Sequence, residues 1–238
     1  MKQVLAIGGL DSSCGAGVIR DAATIQSLGI QPRVAVTAVT AQTATGVQDI
    51  HPVPSQTLDA QIVPAHAIKI GMLCDDSRVR TVCRALEKLS PCPIVLDPVL
   101  SASTGGRLLS DAGAGWLLTE LIQKVTLITP NLQELSLLAD WCGEQSQDPL
   151  NQADALRRAG AAAVLIKDGH GSGKVAKDRL VMDGESHVFE APRLGVSRRG
   201  TGCTLASAIA CGLAEGRSLS RACEIGKSVV TAYLSEAA

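Results

Sequence analysis

The sequence predicts an α/β layered fold around a mostly parallel sheet, and two observations carry that expectation. Short β-branched or apolar runs alternate with longer Ala/Leu-rich stretches of helical spacing along the 238 residues. The runs are also β-branched or apolar at nearly every position, as strands covered on both faces are. Strands are predicted over residues 4–7 (Val-Leu-Ala-Ile), 34–37 (Val-Ala-Val-Thr), 67–70 (Ala-Ile-Lys-Ile), 94–96 (Ile-Val-Leu), 125–128 (Val-Thr-Leu-Ile) and 163–166 (Ala-Val-Leu-Ile). Helices are predicted over 18–28, 77–89, 112–123, 133–138 and 151–159, with a last long helical stretch over 203–236. The alternation breaks once, where residues 179–182 and 187–190 flank Asp183-Gly184-Glu185-Ser186. That turn-rich connection predicts a hairpin and so an antiparallel sheet edge.

Composition narrows the function. The chain is 46% apolar and 19% charged, with a formal net charge of -1, which fits one globular domain over residues 1–238. Twenty-two basic against 23 acidic side chains leave no field to steer a polyanion, and aromatics for base stacking make up only 2%. Nucleic acid is therefore not the expected ligand. No apolar run reaches the length of a membrane span or resembles a secretory leader, so a soluble, cytoplasmic protein is expected. The eight cysteines are scattered without a C-x-x-C pair and read as reduced thiols. The four histidines are isolated, so a structural zinc site is not expected.

Ligands of open α/β sheets gather beyond the carboxyl ends of the strands, so the residues just after each strand are the informative ones. After the first comes Gly8-Gly9-Leu10-Asp11-Ser12-Ser13-Cys14-Gly15-Ala16-Gly17, open to a ligand's approach or simply a strand-helix turn. Its spacing does not match G-x-G-x-x-G. Gly169 to Val175 imitates a phosphate loop, but it is one residue short and has Val where a hydroxyl is needed. The strongest segment is Arg198-Arg199-Gly200-Thr201-Gly202-Cys203-Thr204. A Gly-rich turn there enters a helix beside two guanidinium groups, and phosphate would be held. The helix dipole and arginine charge would lower the Cys203 thiol pKa and make it a base or acid, the alternative being a small helix residue.

Three further strand ends are ambiguous when taken alone. In Thr129-Pro130-Asn131-Leu132-Gln133-Glu134, the spacing of Asn131 and Glu134 suits a helix cap, or a nucleotide phosphate with hydrated Mg²⁺. Asp97 before Pro98 can face the same sheet end or cap residues 101–106. Gln42 can be structural, or a buried amide that reads a heteroaromatic ring. Lys167 and His170 can face a nucleotide or merely end a strand.

These segments, with Thr37-Ala38-x-Thr40-Ala41-Gln42, Lys69-x-Gly71-Met72-Leu73 and Asp97-Pro98-Val99, together resemble the hydroxymethylpyrimidine/phosphomethylpyrimidine kinases of thiamine biosynthesis. The resemblance spans nearly the whole chain. It implies a ribokinase-like three-layer fold, ATP as co-substrate, Mg²⁺, a small aminopyrimidine substrate and a homodimer. By the resemblance, Gly9, Ala16, Thr40, Gln42, Met72 and Val99 surround the aminopyrimidine, and Asp21 supports the pocket. Gly200, Thr201, Gly202 and Cys203 form the anion hole, with Cys203 the candidate catalytic residue. Asn131, Glu134 and Lys167 face ATP, with Asp97 and Glu134 near the metal. The chain departs from the family pattern at Cys14, at Asp168, and at Ser197-Arg198-Arg199, where the family usually has Gly, Gly and Asn-Thr-His. The alternatives are a pyridoxal kinase on the same fold and an inactive paralogue that binds the pyrimidine without transferring phosphate.

Overall fold

In chain order the elements are β1 (Gln3–Asp11), α1 (Gly17–Ser27), β2 (Gln31–Thr43), β3 (Gly46–Pro52), α2 (Ser55–Gln61), β4 (Ala67–Ile70), α3 (Asp76–Glu87), β5 (Ile94–Leu96) and α4 (Asp111–Trp116). They continue with β6 (Leu127–Ile128), α5 (Leu132–Trp141), α6 (Pro149–Arg158), β7 (Val164–Ile166), β8 (Val175–Met182), β9 (Glu185–Pro192), α7 (Thr201–Ala214) and α8 (Leu219–Ser235). A wide turn over Leu117–Leu121 and a tight one over Ile122–Lys124 prolong α4. This computed structural model describes residues 1–238 except 44, 45, 102–105, 170, 172 and 238.

The strands form one nine-stranded sheet in the order β3-β2-β1-β4-β5-β6-β7-β8-β9. Neighbours from β2 to β7 run parallel, whereas β3 on one side and β8 and β9 on the other are antiparallel. Side chains alternate across it, as the two-residue period requires. Leu5, Ile7, Ile68, Ile70, Ile94, Leu96 and Ile128 join the core under α2 to α6. Val4, Ala6, Ala67, Val95, Leu127 and Leu165 face α1, α7 and α8. The result is the expected three-layer α/β arrangement, with every parallel strand delivering its carboxyl end to one edge.

Three differences from the sequence reading have local causes. Helical spacing over 203–236 predicts one stretch, but the chain stops at Gly216 (φ +80°) and restarts at Ser218, which caps α8 by accepting from the Arg221 N–H at 3.3 Å. Both sides of this break are apolar because α7 is buried nearly all round between the sheet and α8. The sequence reading also lacks β3 and α2. β3 is a half-exposed edge strand ending at a proline, with little apolar signal to find, and α2 buries only Leu58. An antiparallel strand therefore borders both sides of the sheet, not just one.

Strand order reverses at β1, whose neighbours are β2 and β4, and a crevice for ligands opens at such a switch point. Gly17 begins α1 there with φ +62°, and a Cβ at this position would overlap the Gly9 carbonyl oxygen. Gly17→Ala is therefore expected to destabilise the protein by about 2 kcal/mol or more, combining a forbidden φ with backbone overlap. Urea denaturation, read as a lowered midpoint at unchanged slope, checks this.

Candidate active site

The loop leaving β1 is organised by one carboxylate. Asp11, 3% exposed, accepts through Oδ1 from the Ser13 N–H at 2.9 Å and the Ser13 hydroxyl at 2.8 Å. Its Oδ2 accepts from the Ala16 N–H at 2.9 Å. Short polar side chains bond backbone this way in turns, which holds Ala16 at the mouth of α1. Across the crevice, the Thr37 hydroxyl donates to the Met72 carbonyl at 2.7 Å, and a Cβ on Gly9 would lie 2.8 Å from the Met72 sulfur. The Thr40 hydroxyl donates to the Leu10 carbonyl at 3.0 Å and faces Gln42 Oε1 at 3.4 Å. Val99 packs with Met72 against Ala38 and Leu108. Gly9, Ala16, Thr40, Gln42 and Met72 thus meet at neighbouring strand ends, with Gln42 half-buried rather than buried as the sequence reading has it. Asp21 stands behind this pocket and not in it. It is wholly buried, taking Lys69 Nζ at 2.8 Å and the Ser207 hydroxyl at 2.9 Å.

The second part of the site is the start of α7. Gly200 has φ +80° and sits against the Gly15 carbonyl, leaving no room for a side chain. Among the described residues no side chain caps this helix, so Thr201, Gly202 and Cys203 present a first turn open to an anion. Two expectations need correction here. The guanidinium groups do not flank the turn's anion face. Arg199 reaches back to Asp11 Oδ2 at 2.8 Å, and Arg198 lies over the Tyr233 ring at 3.7 Å from its centroid. Nor is the Cys203 thiol acidified. Burial pushes its pKa up to about 12, Lys69 opposes this, and Asp21 and Asp97 add to the rise, while a hydrogen bond from Gly17 opposes it. Burial, with the two carboxylates added, outweighs the nearby ammonium.

The third part lies at the ends of β5, β6 and β7. Lys167 Nζ is 2.7 Å from Asp97 Oδ1 and 3.8 Å from Glu134 Oε2, and the Thr129 hydroxyl reaches Asp97 at 3.5 Å. Burial raises the Asp97 pKa, but Lys167 and Lys69, with hydrogen bonds from Lys167 and Thr129, bring it below the usual carboxylate range. Burial lowers the Lys167 pKa and its two carboxylates more than restore it, so it stays an ammonium. Asn131 and Glu134 form the capping box that one reading of their spacing predicts. Asn131 Oδ1 accepts from the Glu134 N–H, and Glu134 Oε2 from the Asn131 N–H, both at 2.9 Å. Capping and site duty coincide, because the same Glu134 faces Lys167. A Cβ on Gly202 would lie 3.2 Å from Asp97 Oδ2 and 3.5 Å from Lys167 Nζ, so the anion turn and this cluster adjoin.

Asp97 is engaged with Lys167, and residues 102–105 of the segment 101–106 that it can cap on the sequence reading lie outside the described residues. His170 lies outside them too. Asp168 is paired with Arg193 at 3.3 Å, and Arg193 also donates to the carbonyls of Asp168, Gly169, Gly173 and Val175. Sequence reasoning gave no role to Arg193, Asp11 or Lys69, although Asp11 and Lys69 stand in the motifs that carry the resemblance. Lys69 also carried a physical signal: a charge inside the apolar strand Ala67-Ile68-Lys69-Ile70, where an ammonium needs a buried partner.

A Gly-rich helix start beside a buried ammonium and two carboxylates, at the carboxyl edge of a parallel sheet, has the donors and charge that phosphoryl transfer calls for. Residues 11–238 match the family model described as phosphomethylpyrimidine kinase, and the chain belongs to that family. The hydroxymethylpyrimidine/phosphomethylpyrimidine kinase of Mycobacterium tuberculosis is 39% identical, over 98% of this chain and 88% of the relative. That of Aquifex aeolicus is 35% identical, over 95% and 92%. Among solved structures, a phosphomethylpyrimidine kinase from Clostridium difficile aligns with TM-score 0.82 and 30% identity, over 100% of this chain and 99% of the other. A pyridoxal kinase from Staphylococcus aureus, solved with AMP-PCP, aligns with TM-score 0.88 and 28% identity, over 98% and 88%. The protein is thus a kinase with the three-layer α/β fold of its relatives.

Two measurements test the electrostatics. Burial pushes the Glu134 pKa up to about 6, with Lys167 opposing and Asp97 adding to the rise. A raised folded-state pKa contributes stability below the unfolded value near 4.5 that is lost as pH rises through about 6. The stability of the parent relative to Glu134→Gln should therefore fall by roughly 2 kcal/mol between pH 4 and pH 7, as measured by urea titrations of both proteins. At pH 8, iodoacetamide should label exposed Cys14 and spare Cys203, whose thiolate fraction would be about one in ten thousand. Peptide mass mapping reads the difference.

Proposed function

We propose that this kinase transfers the γ-phosphoryl group of ATP to 4-amino-5-hydroxymethyl-2-methylpyrimidine and then to the resulting monophosphate. The observation that carries this reading is the contact between the Gly200–Cys203 turn and the Lys167–Asp97–Glu134 cluster. It supplies backbone donors and a cation where phosphoryl charge develops. The crevice between Gly9, Thr40, Gln42 and Met72 would take the flat aminopyrimidine, with the Gln42 amide offering a donor to a ring nitrogen and an acceptor to the amino group. The curated relatives carry both activities in their names, which supports the two-step assignment.

Phosphoryl transfer through a loose transition state asks for positioning and charge more than for a strong base. Lys167 would meet the transferring group's oxygens, and the N–H groups of the α7 start would hold them. Cys203, a thiol by its raised pKa, would sit against those oxygens as a lining residue. The donor set fits a hydrated magnesium ion, which is commonly held by one or two carboxylates together with nucleotide phosphates. Asp97 and Glu134 would hold it, and it would supply neutralisation of phosphate charge. The same reading places the enzyme in the cytoplasm as a homodimer. All eight cysteines are free, in keeping with a reducing compartment.

Incubation with Mg-ATP and each of hydroxymethylpyrimidine, its monophosphate and pyridoxal, with products resolved by mass, tests the assignment. Pyrimidine mono- and diphosphate are expected. Pyridoxal phosphate alone would transfer the chain to the second activity, which the likeness to the S. aureus pyridoxal kinase supports. Lys167→Met should lower kcat by about a hundredfold or more, because a charge aimed at the transferring group is removed.

A further inference from the structure

The geometry points to Arg199 as a positioning residue that fixes the distance between the ring pocket and the anion turn. This inference rests on the kinase reading above, and no part of that mechanism assigns Arg199 a role. Its side chain spans three chain segments. Nη2 donates to Asp11 Oδ2 at 2.8 Å, and Nη1 donates to the Ser13 hydroxyl at 2.8 Å and to the Thr43 carbonyl at 3.3 Å. Asp11 is the carboxylate that also holds Ser13 and Ala16, so the Arg199 guanidinium bonds directly to the organiser of the substrate loop. Thr43 ends the strand that carries Thr40 and Gln42. One planar fork thus ties both walls of the ring pocket to the residue preceding Gly200, a task that a lysine's single ammonium does not reproduce.

The main chain of Arg199 is held independently. Its carbonyl accepts from the Tyr233 hydroxyl at 2.8 Å, and the guanidinium groups of Arg20 and Arg198 pack over the Tyr233 ring at 4.7 and 3.7 Å from its centroid. Arg198 also donates to the Tyr233 carbonyl at 2.5 Å and to Glu236 at 2.9 Å, which fastens the approach to the anion turn onto α8. Gly200, the next residue, packs on the Gly15 carbonyl with no side chain between. With the backbone pinned by α8 and the side chain pinned to the β1 and β2 ends, the turn has one position relative to the pocket. Reacting atoms must stand about 3–3.5 Å apart, and a misplacement of about 1 Å costs on the order of a hundredfold in rate.

The test is steady-state kinetics of Arg199→Met and Tyr233→Phe, with enzyme concentration corrected to the folded fraction by circular dichroism. The parent is assayed first; if it phosphorylates none of the acceptors, the kinase reading fails and this inference fails with it. Given an active parent, Arg199→Met is expected to lower acceptor kcat/KM by about tenfold or more while ATP KM stays within about twofold, because the nucleotide cluster is untouched. Tyr233→Phe removes one hydroxyl and keeps the ring under both arginines, and it should show the same split at smaller size. Acceptor kcat/KM within about twofold of the parent, or an ATP KM raised by as large a factor as the acceptor loss, would overturn the inference while leaving the kinase reading standing. If Arg199→Met does not fold, Tyr233→Phe decides by the same criteria.

Discussion

The site is organised around the ion pair between Lys167 and Asp97. Neither group has much solvent, with side chains 13% and 4% exposed, and isolated charges so placed would be costly. They are tolerable because the sheet brings the ends of β5 and β7 to either side of β6, where Thr129 adds a hydrogen bond to Asp97 and Glu134 faces the same ammonium. Breaking the strand order would strand an uncompensated charge. The Lys69–Asp21 pair repeats the arrangement between β4 and α1, with Ser207 of α7 as the additional donor. Both pairs lie on the side of the sheet edge to which α7 delivers its first turn, so the charges that make the site chemically useful also specify how the layers stack.

That crowding explains why the thiol and the arginines behave differently from expectations based on neighbours in sequence. A cysteine at a helix start beside two arginines reads as acidified, and the argument is sound for an exposed helix end. Here the near charges come from other elements, and two of them, Asp21 and Asp97, are negative. The arginines have been drawn to acceptors far along the chain: Asp11 for Arg199, and Tyr233 with Glu236 for Arg198. Backbone N–H groups and the Lys167 ammonium stand at the α7 start, a more rigid set than long arginine side chains would supply.

Legibility in the sequence followed burial. Five of the six parallel strands, β1, β4, β5, β6 and β7, stand out as apolar runs because helices cover both faces, and the hairpin β8–β9 is marked by its turn residues. β3 left no such trace, since an edge strand that is half in water needs few apolar residues. The division of 203–236 into α7 and α8 was hidden for the opposite reason, because both helices are apolar and only Gly216 and Ser218 mark the break. In the site, residues at strand ends could be read from their position alone. The capping box of Asn131 and Glu134 shows the limit: the spacing was plain, but whether Glu134 also faces a charge depends on where β7 lies.

The sequence by itself determined the layered α/β class, the parallel centre of the sheet, the Gly-rich turn at 200–203 and the membership that its ordered motifs signal, since all of these rest on local pattern and residue chemistry. Tertiary structure alone decided which charges meet. Asp97 with Lys167 is 70 residues apart, Lys69 with Asp21 is 48, and Arg199 with Asp11 is 188. Electrostatic partnership depends on distance through space and on exclusion of water, and neither is set until the strands are ordered and the helices have closed over them.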